Sequence, residues 1–329
     1  MNVLLICPNF FDYPNVICEE LRNMGHNVDW YDDRPSTNSI VKSIIRIKKD
    51  LINKYIKRYF EFLMSEIKEK KYDKVLLISG QSLSFSSEMF EILRKNQKDA
   101  EFILYQWDSL NNFVYIKNLK KYFDRCYSFD PKDVKENEYL YFLPLFYSRK
   151  YQDIGERVVD NYKYDVMFVG TAHPKKYKYI NEMSLSLKEK YKNQFIYFFF
   201  PSRLVYIFRK LKNPEFRKAR YSEFHFTPIN GIEMNKLLKV SKCVFDSTQD
   251  GQIGLTMRVL EMLGAKRKII TTNSDVVNYD FYCKENIYVY NGKFDFNHPF
   301  FKNGYVDIDN KVYEKYSLKN WLNILIGEE

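Results

Sequence analysis

Short apolar runs alternate with amphipathic segments along the first half of the chain. Residues 3–7, 74–79 and 102–106 are almost continuously apolar, which is typical of parallel strands buried on both faces. Between these runs, residues 17–24 and 88–94 place apolar side chains at helical spacing. The alternation predicts a parallel sheet with helices on both faces.

The same alternation starts afresh in the second half of the chain. Apolar runs at residues 165–170, 195–200, 242–245 and 268–272 predict further strands, and helix-like segments separate them. A polar and charged stretch at residues 147–164 precedes this new start. The pattern therefore predicts a second doubly wound domain.

The length of the chain agrees with two domains, because single hydrophobic cores stop growing at about 250–300 residues and this chain has 329. We predict an α/β protein whose two Rossmann-like domains face each other across a cleft. The domain limits are placed at residues 1–150 and 151–312. The remaining segment, 313–329, contains an amphipathic helix that is expected to pack back against the first domain.

The chain is basic, with 52 Lys and Arg against 42 Asp and Glu and a formal net charge of +10. Such a balance favours nucleic acid, an anionic membrane or phosphorylated substrates as partners. The densest basic region, residues 42–71, interleaves cations with apolar residues at helical spacing. It is typical of helices with a solvated outer face or of a membrane-surface contact. No helix-turn-helix, zinc or RNA-binding motif is visible, so nucleic acid is not an expected partner.

The cysteines and the N-terminal residues bear on location. The five cysteines form no CxxC pair, and Cys7, Cys126 and Cys243 lie in apolar runs, as buried reduced thiols of a cytoplasmic protein do. The N-terminal residues do not resemble a secretory signal. No apolar run reaches the ~18 residues that a membrane span requires. We expect a cytoplasmic protein, with residues 42–71 as a candidate membrane contact.

The stretch that carries most chemistry is residues 246–273, DSTQDGQIGLTMRVLEMLGAKRKIITTN. A strand leads into a Gly-bearing loop, a helix follows, and Gly264 is expected to end that helix before the next strand. Arg258 and Glu261 are three residues apart and share a helix face. Helix N-termini attract phosphate, so a cation for a diphosphate and an acid for ribose hydroxyls make chemical sense there.

The order of these features resembles the carboxyl-terminal domain of GT-B glycosyltransferases, and it is most similar to bacterial enzymes of capsule and lipopolysaccharide synthesis. The resemblance covers residues 165–290 best. It implies that Glu261 binds the ribose and that Arg258 neutralises the diphosphate. The chain departs from the family's E-x7-E pattern, because Ile253 stands where the first Glu would fall. That departure favours inversion over a retaining mechanism of the usual type.

The resemblance implies further donor-site residues on the loops after the predicted strands. They comprise a phosphate-side pair, the segment that holds the nucleobase, a residue near the donor sugar, and the start of the donor-site helix. The phosphate-side pair is Gly170 and Thr171, and the nucleobase segment is Thr227, Pro228 and Ile229. Gln252 is the residue near the donor sugar, and the donor-site helix starts at Gly254, Leu255 and Thr256.

Transfer of a sugar to a hydroxyl with inversion needs a general base. The candidates are Asp108, which follows a predicted buried strand in YQWDS, and His173, which follows GTA. Each also has a structural interpretation as a helix cap or loop residue. The DxD pair at Asp307 and Asp309 lies in a late polar stretch and is interpreted as a turn, so no metal site and no cofactor are predicted.

The leading hypothesis is a metal-independent glycosyltransferase that moves a sugar from a nucleoside-diphosphate donor, most simply a UDP-sugar, to a hydroxyl of a cell-surface glycan. A lipid-linked acceptor would bring the protein to the inner membrane leaflet. Two alternatives remain open: a sugar-nucleotide epimerase of the same architecture, and a nucleotide-sugar-binding protein without turnover. The sequence leaves the oligomeric state open.

Overall fold

The computed structural model describes residues 1–10, 12–36, 38, 41, 44–45, 48–80, 83–110, 117–157, 159, 161–248 and 253–328. The chain divides into two compact units. The first unit comprises Met1–Leu145 together with Leu318–Glu329, and the second comprises Phe146–Ser317. The sequence places the domain limits at residues 150 and 312, whereas in the structure the first unit ends at Leu145 and the chain returns to it at Leu318.

The described residues of the first unit form a six-stranded parallel sheet in the order β2-β1-β3-β4-β5-β6. Its strands are β1 (Asn2–Ile6), β2 (Asn27–Tyr31), β3 (Lys74–Ser79), β4 (Glu101–Gln106), β5 (Arg125–Ser128) and β6 (Leu140–Phe142). Its central strands are nearly all buried, because apolar residues fill both of their faces. The chain order reverses between β1 and β3, which is the topological switch point of this sheet.

Helices cover the first sheet. Among the described residues before Leu145 they include α1 (Tyr13–Asn23), α2 (Asn53–Ile67), α3 (Ser87–Asn96) and α4 (Pro131–Glu136), with 3-10 turns at Lys49–Ile52 and Lys120–Tyr122. Helix α2 lies within the basic region predicted to be amphipathic. Its buried face carries Ile56, Phe60, Leu63 and Ile67, at the spacing of a core-facing helix.

The described residues of the second unit also form a six-stranded parallel sheet, in the order β12-β11-β10-β7-β8-β9. Its strands are β7 (Val166–Thr171), β8 (Gln194–Phe199), β9 (Phe224–His225), β10 (Cys243–Phe245), β11 (Lys268–Thr271) and β12 (Ile287–Val289). Counted from its own first strand the order is 3-2-1-4-5-6, that of a dinucleotide-binding sheet. Two doubly wound sheets confirm the predicted fold class.

The helices of the second unit are α5 (Arg149–Gly155), α6 (Pro174–Leu187), α7 (Arg203–Lys212), α8 (Gly231–Lys239), α9 (Met257–Gly264), α10 (Pro299–Lys302) and α11 (Asn310–Lys315). The 3-10 turns are Pro214–Phe216, Tyr221–Glu223 and Ser274–Asn278. Helix α5 lies within the polar stretch at residues 147–164, which the sequence analysis interprets as the boundary between the domains. Although the stretch is polar, Tyr151 and Ile154 lie one turn apart and are buried.

The last helix, α12 (Leu318–Ile326), belongs to the first unit. The sequence predicts one helix over residues 313–326, but the structure has two, α11 and α12, which are separated at Tyr316 and Ser317. The α12 residue Trp321 is buried and packs edge-on against Tyr105 of β4, with ring centroids 4.7 Å apart. The first unit therefore includes α12, although this helix follows the second unit in the chain.

Candidate functional site

The chain order of the second sheet reverses between β7 and β10, which lie side by side. Ligands of open α/β sheets bind at such a switch point, beyond the carboxyl ends of the strands. Here β7 runs into a loop that leads to α6, and the loop after β10 leads to α9. The switch-point site, as we call it, comprises the end of β7 with the loop after it (residues 170–173) and the loop after β10 (residues 246–256). It also includes the first turns of α6 and α9. Residues 249–252 lie outside the described part of the chain.

A buried carboxylate, Asp246, stands directly after β10. Its Oδ1 accepts a hydrogen bond from Thr256 Oγ1 at 3.0 Å, and its Oδ2 accepts one from Thr271 Oγ1 at 2.9 Å. Thr256 precedes α9, and Thr271 ends β11. The two bonds therefore tie α9 and β11 to the end of β10 and fix where α9 begins.

Two cations share the neighbourhood of Asp246: Lys176 in the first turn of α6 and Arg258 in the first turn of α9. The pKa of Lys176 is lowered, mainly by burial. The negative charge of Asp246 opposes this shift, and the positive charge of Arg258 adds to it. Lys176, Asp246 and Arg258 are therefore charged groups close enough to influence one another at the switch point.

Several polar atoms of the switch-point site are buried without a hydrogen-bond partner within the described residues. They are Arg258 Nη1, Ser247 Oγ and Thr248 Oγ1. Buried polar groups are nearly always hydrogen-bonded in folded proteins. A ligand that accepts hydrogen bonds would satisfy the guanidinium and both hydroxyls.

Both helices at the switch-point site begin without a side-chain cap. His173 precedes α6 and Thr256 precedes α9, but neither side chain accepts a hydrogen bond from the first turn that follows. The first N–H groups of a helix have no partner within the helix, and the helix dipole adds positive potential at that end. Two such helix ends at one switch point are suited to bind phosphate.

The predicted phosphate-side residues Gly170 and Thr171 end β7, so the structure places them in the switch-point site. A Cβ added to Gly170 would lie 2.8 Å from the ring of Phe168. The glycine therefore has a packing role there, whatever it contacts in a ligand. Thr171 and His173 are exposed at the same strand end.

The predicted helix-start residues Gly254, Leu255 and Thr256 precede α9. Helix α9 begins at Met257, so the N–H groups of Gly254 and Leu255 belong to the loop rather than to the first turn. Leu255 is buried, and the side chain of Asn273 donates to the Ile253 carbonyl at 3.0 Å, which anchors this loop to the end of β11. The predicted sugar contact Gln252 lies outside the described residues.

Glu261, the predicted ribose ligand, is buried on α9. Its Oε1 accepts a hydrogen bond from Tyr151 Oη at 2.6 Å. Burial, and then the negative charge of Glu261, raise the pKa of that tyrosine. Helix α5 therefore holds the carboxylate in place, and the ribose role of Glu261 stays a prediction.

The predicted nucleobase segment follows β9, the edge strand of the sheet on the β8 side. Thr227 and Pro228 are exposed and Ile229 is half-buried. The Thr227 carbonyl accepts a hydrogen bond from Tyr197 Oη at 2.8 Å. The ring of Tyr197 in turn stacks on His225, with centroids 3.8 Å apart. The segment lies at the same edge of the sheet as the switch-point site, but two strands away from β7.

The candidate base Asp108 lies in the first unit, two residues after β4. Its carboxylate lies over Gly80, where any added Cβ would overlap it. Gly80 directly follows β3, one of the two switch strands of the first sheet. Asp108 is thus placed at the carboxyl ends of the strands, as predicted for a residue that faces a ligand.

A buried polar cluster that the sequence analysis did not identify lies at the same edge of the first sheet. Arg34 Nε lies 3.0 Å from Asp32 Oδ1 and 3.2 Å from Asp33 Oδ1. Ser79 Oγ donates to Asp33 Oδ2 at 2.8 Å. Beside Ser79 in the sheet, both amide atoms of Gln106 are buried without a hydrogen-bond partner in the described part of the chain.

The DxD pair has contacts that account for both carboxylates. Asp309 Oδ1 accepts hydrogen bonds from the N–H groups of Lys311 and Val312 at the start of α11. Asp307 Oδ1 lies 2.6 Å from Lys266 Nζ. These residues therefore act as a helix cap and an exposed ion pair.

Several solved structures are similar to this chain over nearly its whole length. The apo form of the lipopolysaccharide outer core galactosyltransferase WaaB has a TM-score of 0.54 and 13% identity, over 100% of both chains. The UDP-GlcNAc 2-epimerase from Neisseria meningitidis bound to UDP-GlcNAc has a TM-score of 0.52 and 11% identity, over 99% of both. HepE of Anabaena, in complex with UDP and glucose, has a TM-score of 0.51 and 8% identity, over 100% of this chain and 95% of that chain.

The chain has the GT-B fold. No protein-family profile matches it, and no curated protein sequence matches it significantly. The resemblance to GT-B proteins seen in residues 165–290 is confirmed at the level of the fold.

Within the GT-B fold, the sequence analysis did not single out Lys176, Asp246 or Ser247. Each stands shortly after the end of a strand that borders the switch point. A search for charged and hydroxyl residues in the first few positions beyond each predicted strand would have found them. The proximity of Lys176 to Asp246 and Arg258 could not be anticipated, because it depends on which strands become neighbours.

Proposed function

We propose that this GT-B-fold protein is a glycosyltransferase that takes its sugar from a nucleoside-diphosphate donor, with UDP as the first candidate. The observation that carries the proposal is the switch-point site. Lys176 and Arg258 supply positive charge, two uncapped helix N-termini open on the site, and buried donors there have no partner among the described residues. A diphosphate is the ligand class that best fits this combination.

Proteins of similar fold support the choice of UDP. HepE of Anabaena is in complex with UDP and glucose, and the Neisseria meningitidis enzyme is bound to UDP-GlcNAc. WaaB is a galactosyltransferase of the lipopolysaccharide outer core. We propose by analogy that the acceptor is a hydroxyl of a bacterial cell-surface glycan, such as a capsule or lipopolysaccharide intermediate. A lipid-linked acceptor would place the protein at the cytoplasmic side of the inner membrane.

In this proposal the leaving diphosphate is stabilised by the protein rather than by a metal or a cofactor. Lys176, Arg258 and the first N–H groups of α6 and α9 would neutralise the charge that develops as the glycosidic bond breaks. Glu261, positioned by Tyr151, would accept hydrogen bonds from the ribose. Asp108 or His173 would take the proton of the acceptor hydroxyl, with inversion at the sugar carbon.

An epimerase is the second candidate function, because the fold resembles a UDP-GlcNAc 2-epimerase about as closely as it resembles the galactosyltransferase. The switch-point site would bind the same donor in either enzyme. A nucleotide-sugar-binding protein without turnover is the third. The products separate these functions, since a transferase passes the sugar to an acceptor hydroxyl, whereas an epimerase makes a stereoisomer of the sugar.

The first experiment is calorimetric titration of UDP, GDP and dTDP in the presence of EDTA. We expect one nucleotide, UDP first, to bind, and we expect Lys176→Ala to weaken its affinity roughly 10- to 100-fold, as for loss of a hydrogen bond to a charged group. Lys178→Ala is the matched control, since Lys178 lies on the same helix and is exposed. Absence of binding by all three nucleotides would overturn the proposal, as would equal affinities of the two variants.

The second experiment follows turnover of the UDP-sugar that binds most tightly. Wild-type protein is incubated with the donor alone, and the nucleotides are separated by anion-exchange chromatography. Slow release of UDP supports the transferase, a new UDP-sugar isomer supports the epimerase, and unchanged donor supports the binding protein. Asp108→Asn and His173→Ala then show which candidate base is needed, by loss of turnover at unchanged UDP affinity.

A further inference from the structure

Helix α7, residues Arg203–Lys212, presents a row of large apolar side chains to solvent. Leu204 is 78% exposed, Ile207 51%, Phe208 63% and Leu211 77%. Their spacing of i, i+3, i+4 and i+7 is that of a helix face that normally packs against a core. Here the same face lies on the outside, so a continuous apolar stripe is in contact with water. We call these four residues the α7 stripe.

The opposite face of α7 fixes the orientation of the helix. Tyr206 is buried and packs edge-on against Phe200, with ring centroids 5.6 Å apart. Arg209 Nη1 donates to the Ala172 carbonyl at 2.8 Å, and Lys210 Nζ donates to the Ala219 carbonyl at 2.9 Å. The helix therefore cannot roll its apolar stripe inward without breaking these contacts.

Exposed cations lie at both ends of the α7 stripe, with Arg203 next to Leu204 and Lys212 next to Leu211. Residues 203–220 read RLVYIFRKLKNPEFRKAR, with seven Lys or Arg and a single Glu. Five of these cations are exposed: Arg203, Lys212, Arg217, Lys218 and Arg220. An apolar face with a cationic margin is complementary to the interface of a bilayer that contains anionic lipids.

A second copy of the chain fits this surface less well. In a twofold dimer the same patch lies on both sides of the interface, so the cations of one copy would approach those of the other. A bilayer instead offers hydrocarbon to the stripe and phosphate groups to its margin.

We propose that α7 lies in the plane of an anionic membrane surface, with the α7 stripe inserted among the lipids and its cationic margin at the headgroups. Within the second unit, Arg209 joins this helix to the loop 170–173 of the switch-point site. A membrane-bound α7 would therefore hold that site close to the lipid surface, where lipid-linked acceptors reside. The inference deepens the proposed function by naming the docking surface, but lipid binding needs no nucleotide, so the two can fail separately.

The test is cosedimentation of the full chain with vesicles of phosphatidylcholine alone and with 30 mol% phosphatidylglycerol, in low salt and without nucleotide. We expect binding to the anionic vesicles, weaker binding to the neutral ones, and a decrease on addition of salt. Leu204→Ser/Leu211→Ser should reduce the vesicle partition coefficient by about tenfold or more. Arg203→Gln/Lys212→Gln should reduce it by roughly fivefold per cation removed.

Two control variants each remove one exposed apolar side chain outside α7. Leu185→Ser removes a similarly exposed leucine of α6, and Phe62→Ser removes an exposed aromatic from the basic helix α2. Both should bind vesicles as the wild type does. Circular dichroism and thermal unfolding check that every variant is folded, which is expected because all the changed side chains are exposed.

Three outcomes would overturn the inference. The first is that the wild type does not bind anionic vesicles. The second is that the α7 variants bind as well as the wild type. The third is that only Phe62→Ser loses binding, which would place the contact on α2. Sedimentation velocity is run in parallel. If the Leu204→Ser/Leu211→Ser variant turns a dimer into a monomer and the wild type ignores vesicles, a second copy covers the stripe.

Discussion

At the scale of single residues, Asp33 is a fully buried carboxyl group just beyond β2. Burial raises its pKa to about 7; the nearby Arg34 opposes this shift and the like charge of Asp32 adds to it. Ser79 donates a hydrogen bond to the Asp33 carboxyl group, and Asp32 lies beside it. In the unfolded chain the same carboxyl titrates near its ordinary value of about 3.9. Asp33 therefore binds its proton more tightly in the folded protein.

The raised pKa of Asp33 predicts how stability depends on pH. Between about pH 4 and pH 7 the folded state holds the Asp33 proton and the unfolded state has lost it. The contribution of Asp33 to the free energy of unfolding is thus fully present below pH 4 and decreases as the pH rises through 7. Asp33→Asn should remove this decrease, on the order of a few kcal/mol.

Urea denaturation at several pH values between 4.5 and 8 measures the effect. The variant should show a flatter or more positive dependence of unfolding free energy on pH than the wild type. Asp99→Asn, which changes an exposed carboxylate of the same unit, should leave the dependence nearly unchanged. Identical slopes for wild type and Asp33→Asn would mean that Asp33 is already ionised throughout this range.

The local sequence around Lys176 does not indicate that it is a candidate binding residue. It is one of several lysines in a helix that the sequence predicts to start near residue 176, and the observed helix is Pro174–Leu187. Its neighbours in sequence do not distinguish it from Lys175 or Lys178. Only its tertiary environment does so, because burial and the nearby Arg258 lower its pKa while Asp246 opposes the shift.

At the scale of elements, α9 ends at Gly264, as the sequence analysis expects, but the glycine does not have the positive φ of a helix-terminating glycine. Gly264 is the last residue of the helix, and the residue with positive φ is Lys266, at 50°. The glycine is required for a close approach instead, since a Cβ there would lie 2.5 Å from Cγ of Tyr147. The Gly264 carbonyl also accepts a hydrogen bond from Tyr313 Oη at 2.7 Å. Helix α9 is therefore packed tightly at the end remote from the switch-point site.

This packing predicts an unusual response to alanine. Gly→Ala within a helix normally stabilises by about 1 kcal/mol, but Gly264→Ala should destabilise the second unit by ~1–3 kcal/mol because the methyl group overlaps the buried Tyr147 ring. The control is Gly231→Ala at the start of α8, where an added Cβ meets nothing within 4 Å. Guanidinium denaturation compares the two. A Gly264→Ala protein as stable as the control would show that Tyr147 can move away.

Helix α7 also has a property that its sequence pattern does not indicate. Its residues have the pattern of a core-facing helix, and no local feature reveals that the apolar stripe remains uncovered. The structure decides this because Tyr206, Arg209 and Lys210 occupy the inner face. The sequence analysis predicts no element at residues 203–212.

At the scale of the whole molecule, the first unit depends on residues that follow the second unit in the chain. Trp321, Leu322 and Leu325 of α12 are fully buried. Arg125 at the start of β5 donates to the carbonyls of Ile324 and Leu325, at 3.2 and 2.8 Å. The guanidinium thereby satisfies carbonyls at the end of α12 that have no partner within the helix.

We therefore predict that Trp321→Ala destabilises the first unit by about 3–5 kcal/mol, the usual cost of truncating a large buried aromatic side chain. Ile324→Ala, on the same helix but exposed, should cost far less. Urea denaturation combined with limited proteolysis identifies the unit that opens first, and early cleavage should fall within residues 1–145. Early cleavage within residues 146–317 would contradict the assignment of α12 to the first unit.

Among the described residues no helix is both long enough and apolar enough to cross a bilayer.

The amino-acid sequence by itself determined the α/β class, the two doubly wound domains and the limits of the central strands. Residues 74–79 are a case in which predicted and observed limits agree. These properties follow from local hydrophobic periodicity, which neighbouring residues share. The pairing of Arg258 and Glu261 on one helix face is equally local, because three residues on a helix bring side chains to the same side.

Only the tertiary structure decided which strands are neighbours, and so where the switch points lie. The positions of β7 beside β10 and of α12 in the first unit depend on contacts between residues far apart in the chain. Such contacts leave no periodic signal, because they are selected by the packing of the whole unit rather than by any short segment. For that reason Lys176 joins Arg258 at one site, Tyr151 reaches Glu261, and the apolar stripe of α7 faces outward.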